Sequence, residues 1–298
     1  MGTTPRDVLN DRLRALAQEV RRTDAMVADG EPEGVHDLRV ALRRTRSLLR
    51  SFRPLLVEER RAESERLREE CRWAGGVLGP VRDAEVMHER LAALLEEQPA
   101  ELVLGGVAAR LADRAREDAR KGRERITGLR ADPRHVRLLD ALDDFAAGSP
   151  FAEVDEVAVR KRLHKEWRRL RQRARAAEMH PAGSAAAETA LHETRKAGKR
   201  ARYAVETALP LLGDEAGRTA ALAEDVQDAL GAHRDTLMTR SLLRELGVQA
   251  HLDGDNGFTF DRLHALEEVR GKSALAGYRS LRPELDRKKR RRAISTGT

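Results

Sequence analysis

Residues 35–56 read VHDLRVALRRTRSLLRSFRPLL, and residues 191–212 read LHETRKAGKRARYAVETALPLL. Aligned without a gap, His36 falls on His192, Arg39 on Arg195, Arg43 on Lys199, Arg44 on Arg200 and Arg46 on Arg202. Both stretches close on Pro-Leu-Leu. Neither holds a proline before that close, so each is expected to run as a helix throughout. On a helical wheel, His36, Arg39, Arg43, Arg46 and Arg50 fall within about 80° of one another. Leu38, Ala41, Leu42, Leu48, Leu49 and Phe52 take a separate face. In the second copy His192, Arg195, Lys199 and Arg202 form the stripe, beside Thr194, Ala197, Ala201, Ala204, Val205 and Ala208.

Each helix thus carries a packing face and a narrow cationic stripe led by a histidine. Like charges one turn apart repel by a few tenths of a kcal/mol per pair, roughly. Glutamates four residues on would relieve that cost, and the segment ERRAESERLREE (59–70) uses them freely. The stripes read as lacking such partners. A single charge stripe is usually a solvated face. Two in the same register, each led by histidine, point instead to an anionic ligand.

The chain has 298 residues, 57 Lys and Arg against 50 Asp and Glu, and a formal net charge of +7. With a pI near 9.9, an anionic partner is favoured. Aromatics are only 3% of residues, so the core must be built from Leu, Ala and Val, a mixture that suits helices. The expected class is all-α. One cysteine, Cys71, allows no intramolecular disulfide and fits a reducing compartment. There is no N-terminal apolar segment of the secretory kind and no run of eighteen apolar residues, so a cytoplasmic protein without a membrane partner is expected.

Turn signals divide the chain. Asp29-Gly30-Glu31-Pro32 ends a first helix over residues 5–28. Gly79-Pro80, Gln98-Pro99 and Asp132-Pro133 separate later ones, and Gly148-Ser149-Pro150 marks the midpoint. The second half repeats the order, with breaks expected at residues 181–184, at Gly231 and at residues 251–257. Residues 1–150 and 151–285 are read as two related helical bundles. Residues 286–298, containing RKKRRR, are read as a disordered basic tail, accessory to binding. A second motif fixes the repeat. Residues 78–83 (LGPVRD) match residues 230–235 (LGAHRD), each about thirty residues past its stripe. Glycine there suggests a left-handed helix end and aspartate a cap. The arginines, Arg82 and Arg234, are candidates to reach the anion held by the stripes. A third basic helix, residues 155–178, sets Arg160, His164, Arg168, Arg171 and Arg175 beside a face of Leu163, Trp167, Leu170 and Ala174.

The V-H-x-x-R-V-x-x-R-R-x-R helix, its second copy H-x-x-R-K-x-x-K-R-x-R-Y and the two L-G-x-x-R-D motifs resemble the CHAD family, the α-helical domain named for its histidines. The resemblance spans roughly residues 5–285. It implies two pseudo-symmetric four-helix bundles, a basic groove or cavity between them that binds inorganic polyphosphate, and attachment to polyphosphate granules. It implies contacts from His36, Arg39, Arg43, Arg46, His192, Arg195, Lys196, Lys199 and Arg202, with His164, Arg168 and Arg171 on a looser match. The charge stripe adds Arg50, and Arg82, Arg234 and Arg160 stand as further candidates. Val40 stands opposite Lys196 and Ser47 opposite Tyr203, so the first stripe offers the anion one group fewer. The E-x-E-x-K signature of the triphosphate-tunnel domain fused to some relatives is not found.

Linear polyphosphate carries about one charge per phosphate, and helix residues one turn apart lie about 5.4 Å apart, so a stripe lays cations along a rod-like anion. Arginine suits bidentate phosphate contact and lysine acts as a point charge. Binding should be strongly salt-dependent, and the histidines should gain charge beside phosphate as pH falls. The alternative partner is nucleic acid, or polyanions generally. No helix-turn-helix, zinc or RNA-binding signature supports it, and aromatics for base stacking are few. Catalysis is not expected. His36-Asp37 resembles a metal phosphohydrolase dipeptide, but the row of arginines would repel a divalent cation. Cys71 reads as a core residue beside Trp73 despite Arg68 and Arg72 nearby. No P-loop, dinucleotide fingerprint, metal site or cofactor is indicated.

Overall fold

The computed structural model describes residues 4–294, and among these the regular structure is helical, with one isolated bridge between Leu56 and Phe151. The first half holds α1 (Pro5–Ala28), α2 (Gly34–Ser51), α3 (Arg61–Val77), α4 (Gly79–Glu96), α5 (Val107–Ala131) and α6 (Pro133–Ala147). The second holds α7 (Glu156–Glu178), α8 (Ala185–Ala208), α9 (Asp214–Leu252), α10 (Phe258–Leu281) and a short α11 (Lys288–Ile294). The helix starts follow local chemistry. Thr4 and Asp7 form a reciprocal capping box ahead of Pro5. Asp132 caps α6 ahead of Pro133. Asp155 and Ser184 accept from Ala158 N and Ala187 N at the starts of α7 and α8.

Both stripe helices bury the face the periodicity predicts. Leu38, Ala41, Leu42, Leu48, Leu49 and Phe52 are buried, as are Thr194, Ala197, Ala201, Ala204, Val205 and Ala208. Each buried leucine or phenylalanine contributes about 2 kcal/mol. α2 packs on α1 and α3, α8 packs on α7 and α9, and α2 meets α8 directly. One apolar core therefore takes residues from both halves, with Trp167, Phe52, Phe145 and Phe151 among its largest members. The midpoint segment is tied into it: Val57 N donates to Pro150 O at 3.0 Å and Ala152 N to Leu55 O at 2.9 Å. A second, smaller cluster joins the far ends of α4 and α5 to α9 and α10 through Leu91, Leu94, Val107, Leu243, Phe260 and Leu263.

Three expectations about the fold are corrected. The break expected at Gly231 is absent, since α9 runs unbroken for 39 residues. Pro80 is the cause of the difference. At residues 78–80 the missing proline N–H removes a ladder bond, and α3 gives way to α4. Ala232 occupies the matching place and keeps its N–H. Neither Gly79 nor Gly231 has a positive φ, so neither is a left-handed cap; that conformation belongs to Gly30, Gly105, Gly183 and Gly254. The tail is also not disordered throughout. α11 packs on α7 and α9, with Ile294 fully buried and Arg290 paired to Glu215 at 3.2 Å. One apolar residue with a buried seat outweighs the basic composition that suggested disorder. Residues 295–298 of that tail lie outside the described residues.

Candidate functional site

Four helices, α2, α4, α9 and α8, touch in turn around a cleft of about 500 Å3. α2 contributes His36, Arg39, Val40 and Arg43. α8 contributes Arg195 and Lys199. α4 supplies Arg82, Asp83, Val86, Met87 and Arg90, and α9 supplies Gln227, Arg234, Asp235, Met238 and Thr239. Seven arginines and lysines therefore line the cleft against two carboxylates.

The L-G-x-x-R-D motifs hold the stripe arginines in place. Arg39 Nη1 donates to Gly79 O and to Asp83 Oδ1, both at 3.1 Å. A Cβ on Gly79 would lie 3.9 Å from Arg39 Nη2, and one on Gly231 would lie 3.1 Å from both Nε and Nη2 of Arg195. Gly231 thus makes room for the guanidinium of its own repeat, whereas a side chain at Gly79 would meet Arg39 only in ordinary contact. In the second repeat Asp235 lies in the field of Arg195 without bonding to it, and Arg195 Nε is buried with no hydrogen-bond partner among the described residues. Burial pushes the Asp235 carboxyl above its usual range, against the pull of Arg195, Arg90 and Arg234.

Other contacts fix the remaining cations. Arg43 Nε donates to the Tyr203 hydroxyl at 3.0 Å, where α2 meets α8. The Arg43 and Arg44 guanidinium carbons lie 5.9 and 5.6 Å from the Tyr203 ring centroid. Arg90 pairs at 2.7 Å with Glu267, a carboxylate with no exposed surface. Arg82 pairs with Glu85 at 3.2 Å. Arg234 Nη1 donates to His192 Nε2 at 2.9 Å. Burial, reinforced by Arg234 and Lys196, pushes His192 down to about 4, so in the ligand-free protein it is a neutral acceptor. Lys199 is the least compensated. Burial, then Arg43, Arg195 and Arg39, push its ammonium down to about 7.

Of the residues singled out from sequence, the cleft gathers His36, Arg39, Arg43, Arg82, Arg195, Lys199 and Arg234, with His192 just behind Arg234. It does not gather the others. Arg46 is half-buried against α3, beside Cys71, Arg72 and Arg68, and Arg50 next to it is exposed. Lys196 pairs with Glu193 at 2.8 Å, and Arg202 pairs with Glu206 at 2.6 Å and Glu224 at 2.8 Å. Part of the second stripe therefore does have the glutamate partners the sequence reading denied it. On α7, His164 is half-buried and Arg168 exposed. Arg171 pairs with Asp286, and Arg160 pairs with Glu156 and donates to Ala293 O. That third stripe is engaged in part by the C-terminal segment, not by the cleft.

Sequence reasoning missed Arg90, Asp83, Asp235 and the spacing role of Gly231. Arg90 was within reach: Arg82, Val86 and Arg90 follow at intervals of four on one face of α4.

The CHAD domain family's sequence profile matches residues 11–244. Two Mycobacterium tuberculosis proteins, MT2285 and Rv2226, are each 33% identical over 260 residues, covering 85% of this chain. The chain spans about half the length of these curated relatives, 49% of each. Among solved structures, the CHAD domain from the plant Ricinus communis matches with a TM-score of 0.70 at 23% identity, over 95% of this chain and 93% of its own. PptA from Streptomyces chartreusis matches with a TM-score of 0.73 at 20% identity, over 93% and 98%. These likenesses carry the fold, and the profile match extends over most of the sequence, both histidine helices included: the chain belongs to the CHAD domain family.

Proposed function

We propose that this protein binds inorganic polyphosphate in the cleft between α2, α4, α8 and α9, without chemical turnover. The observation that carries the reading is the convergence of seven cations on one cleft, with Lys199 set among Arg39, Arg43 and Arg195. Linear polyphosphate offers anionic oxygens along its whole length and asks for little else in shape. A space of about 500 Å3 is that of a small-ligand pocket. Among the described residues, the cleft lining has no Phe, Tyr or Trp on which a base could stack, and His36 is its one aromatic ring. Of its two carboxylates, Asp83 is bonded to Arg39 and Asp235 lies in the field of Arg195, Arg90 and Arg234. Cys71 is buried in the core with its thiol pushed up to about 12, unsuited to nucleophilic attack. The repeated pairing of a stripe arginine with the glycine of the following motif supports descent of residues 1–150 and 151–285 from one duplicated unit. Cytoplasmic residence and recruitment to polyphosphate granules are part of the same proposal. Among the described residues no helix is long and apolar enough to cross a membrane.

The test is a competition titration. Labelled long-chain polyphosphate is displaced by unlabelled tripolyphosphate, double-stranded DNA and RNA at two salt concentrations. The proteins are the wild type and Arg39→Gln/Arg195→Gln, with circular dichroism as a check on folding. Expected is binding that nucleic acid fails to displace and that the folded double variant weakens by orders of magnitude. Unchanged affinity in that variant would remove the cleft from consideration. Equal displacement by DNA would replace polyphosphate with polyanions in general.

A further inference from the structure

The cleft accounts for only part of the cationic stripe on α2. Arg46 and Arg50 continue it past Arg43, and from Arg39 to Arg50 the helix rises about 16 Å. Beyond the Tyr203 contact these two arginines meet a second set of cations. Arg50 lies near Arg46 on one side and near Arg200 on the other, and Arg200 also has Arg169 beside it. Arg72 adds a further positive charge next to Arg46.

This cluster is not an ordinary solvated face. The Arg200 side chain is only 14% exposed, and its Nε and Nη2 are buried with no hydrogen-bond acceptor among the described residues. The nearest carboxylate oxygen, on Glu166, is 3.8 Å away, beyond hydrogen-bond reach. Buried donors left unmatched are costly, and such groups call for an explanation. Burial and the neighbouring cations also push the Arg200 guanidinium down, to about 10.

The repeat supplies a second argument. In the gap-free alignment Arg44 falls on Arg200 and Arg50 falls on Glu206. Around Arg44 the charge is answered: Glu206 approaches it at 3.9 Å, and the nearby Arg12 has Glu206 and Glu19 in its field. Around Arg200 the position of Glu206 is taken by Arg50. Glu166 at 3.8 Å and Glu193 answer Arg200 only in part, as Glu206 answers Arg44, but the matched site beside Arg200 carries an arginine where the other carries a carboxylate.

Resting on the polyphosphate reading above, we propose that the ligand path continues out of the cleft past Tyr203 onto a cationic shelf of Arg46, Arg50, Arg169 and Arg200, which holds the further phosphates of a long chain. The cleft is the primary site, filled by short and long chains alike. The shelf engages only chains long enough to span both, and it raises their affinity through effective concentration.

The experiment measures binding of tripolyphosphate and of long-chain polyphosphate by the wild type, Arg50→Glu, Arg200→Gln and Arg39→Gln. Arg50 is exposed, so its variant is expected to fold. Expected for Arg50→Glu is a tenfold or greater loss of long-chain affinity, with tripolyphosphate affinity within about twofold of wild type. The salt dependence of long-chain binding should also become shallower, its slope falling by about 1 for each phosphate that the variant no longer neutralises. Arg200→Gln should move in the same direction by less. Arg39→Gln should weaken both ligands. If Arg39→Gln weakens both while Arg50→Glu changes neither, the shelf is refuted and the cleft stands. If Arg50→Glu weakens both ligands equally, the shelf is not a separate subsite. If Arg39→Gln changes neither, the cleft itself is refuted, and the path that begins there falls with it.

Discussion

Lys199 should make polyphosphate binding take up protons. In the ligand-free protein its ammonium is pushed down from the ordinary 10.5 to about 7, first by burial and then by Arg43, Arg195 and Arg39. Near pH 7 about half of the molecules therefore lack this charge. A polyanion against the amine reverses the balance and restores a value near the ordinary one. Binding then draws in about half a proton at pH 7 and close to one proton above pH 8.5. Affinity should fall about 20-fold between pH 7.5 and pH 9 relative to Lys199→Met, in which the titration of the ligand's own terminal phosphates is retained. The sign for stability is opposite. The folded value lies below the unfolded one, so between about 7 and 10.5 the unfolded chain binds more protons and ligand-free stability rises with pH. Removing the amine in Lys199→Met should accordingly stabilise the ligand-free protein at neutral pH, by between about 1 and 4 kcal/mol. The assay is isothermal titration of tripolyphosphate in pairs of buffers with different ionisation enthalpies, on wild type, Lys199→Met and Lys199→Arg. The variants should lose the proton uptake, Lys199→Met with weaker binding and Lys199→Arg without it. Equal proton uptake by wild type and Lys199→Met would refute the assignment.

Gly231→Ala should separate folding from binding. Gly231 lies inside α9, where alanine is favoured by about 1 kcal/mol, but the new methyl would sit 3.1 Å from the Arg195 guanidinium; thermal unfolding should show no loss while polyphosphate affinity drops. Gly79→Ala, with 3.9 Å of clearance, should have a smaller effect on affinity. Ile294→Ala should destabilise the fold by about 2–4 kcal/mol in denaturant unfolding, because the side chain is fully buried; a change below 0.5 kcal/mol, roughly the scale of surface substitutions, would show that α11 is not docked. Cys71 should resist thiol reagents at pH 8 in the folded protein and react only on unfolding, given its burial and a thiol pushed up to about 12.

Most of the fold was legible in the sequence because helical periodicity and turn residues act locally. Val8, Leu9, Leu13, Leu16 and Val20 declare α1 without reference to any other element, and Pro133 and Ser184 mark helix starts by their own chemistry. The continuity of α9 was harder. It depends on Ala232 standing where the first motif has Pro80, a single N–H that motif matching ignores. The burial of Ile294 was hidden because nothing local distinguishes an apolar residue in a basic tail from one with a seat in the core. The site was half legible. A wheel gives the direction of each side chain from its own helix and says nothing of the neighbour it will meet. Arg39 and Arg46 share a stripe, yet α4 begins beside one and α3 covers the other, so only one reaches the cleft. Arg202 was legible from spacing, as Glu206 follows it by four residues.

The unbroken α9 and the jointed α3–α4 junction give the cleft two unlike jaws. α9 spans about 58 Å as one beam packed into both apolar clusters, so the wall carrying Arg234 and Asp235 is fixed. α4 begins afresh at Gly79, where Pro80 has already removed a ladder bond, and a few dihedrals there can absorb a swing. Its far end is latched by Arg90 on Glu267. α4 also packs into both clusters, through Val81 and through Leu91 and Leu94, so the joint at residues 77–80 is where a widening of the cleft would be taken up. Amide exchange should be fastest at that joint and slowed there by ligand, while the matching residues 229–232 of α9 stay protected throughout.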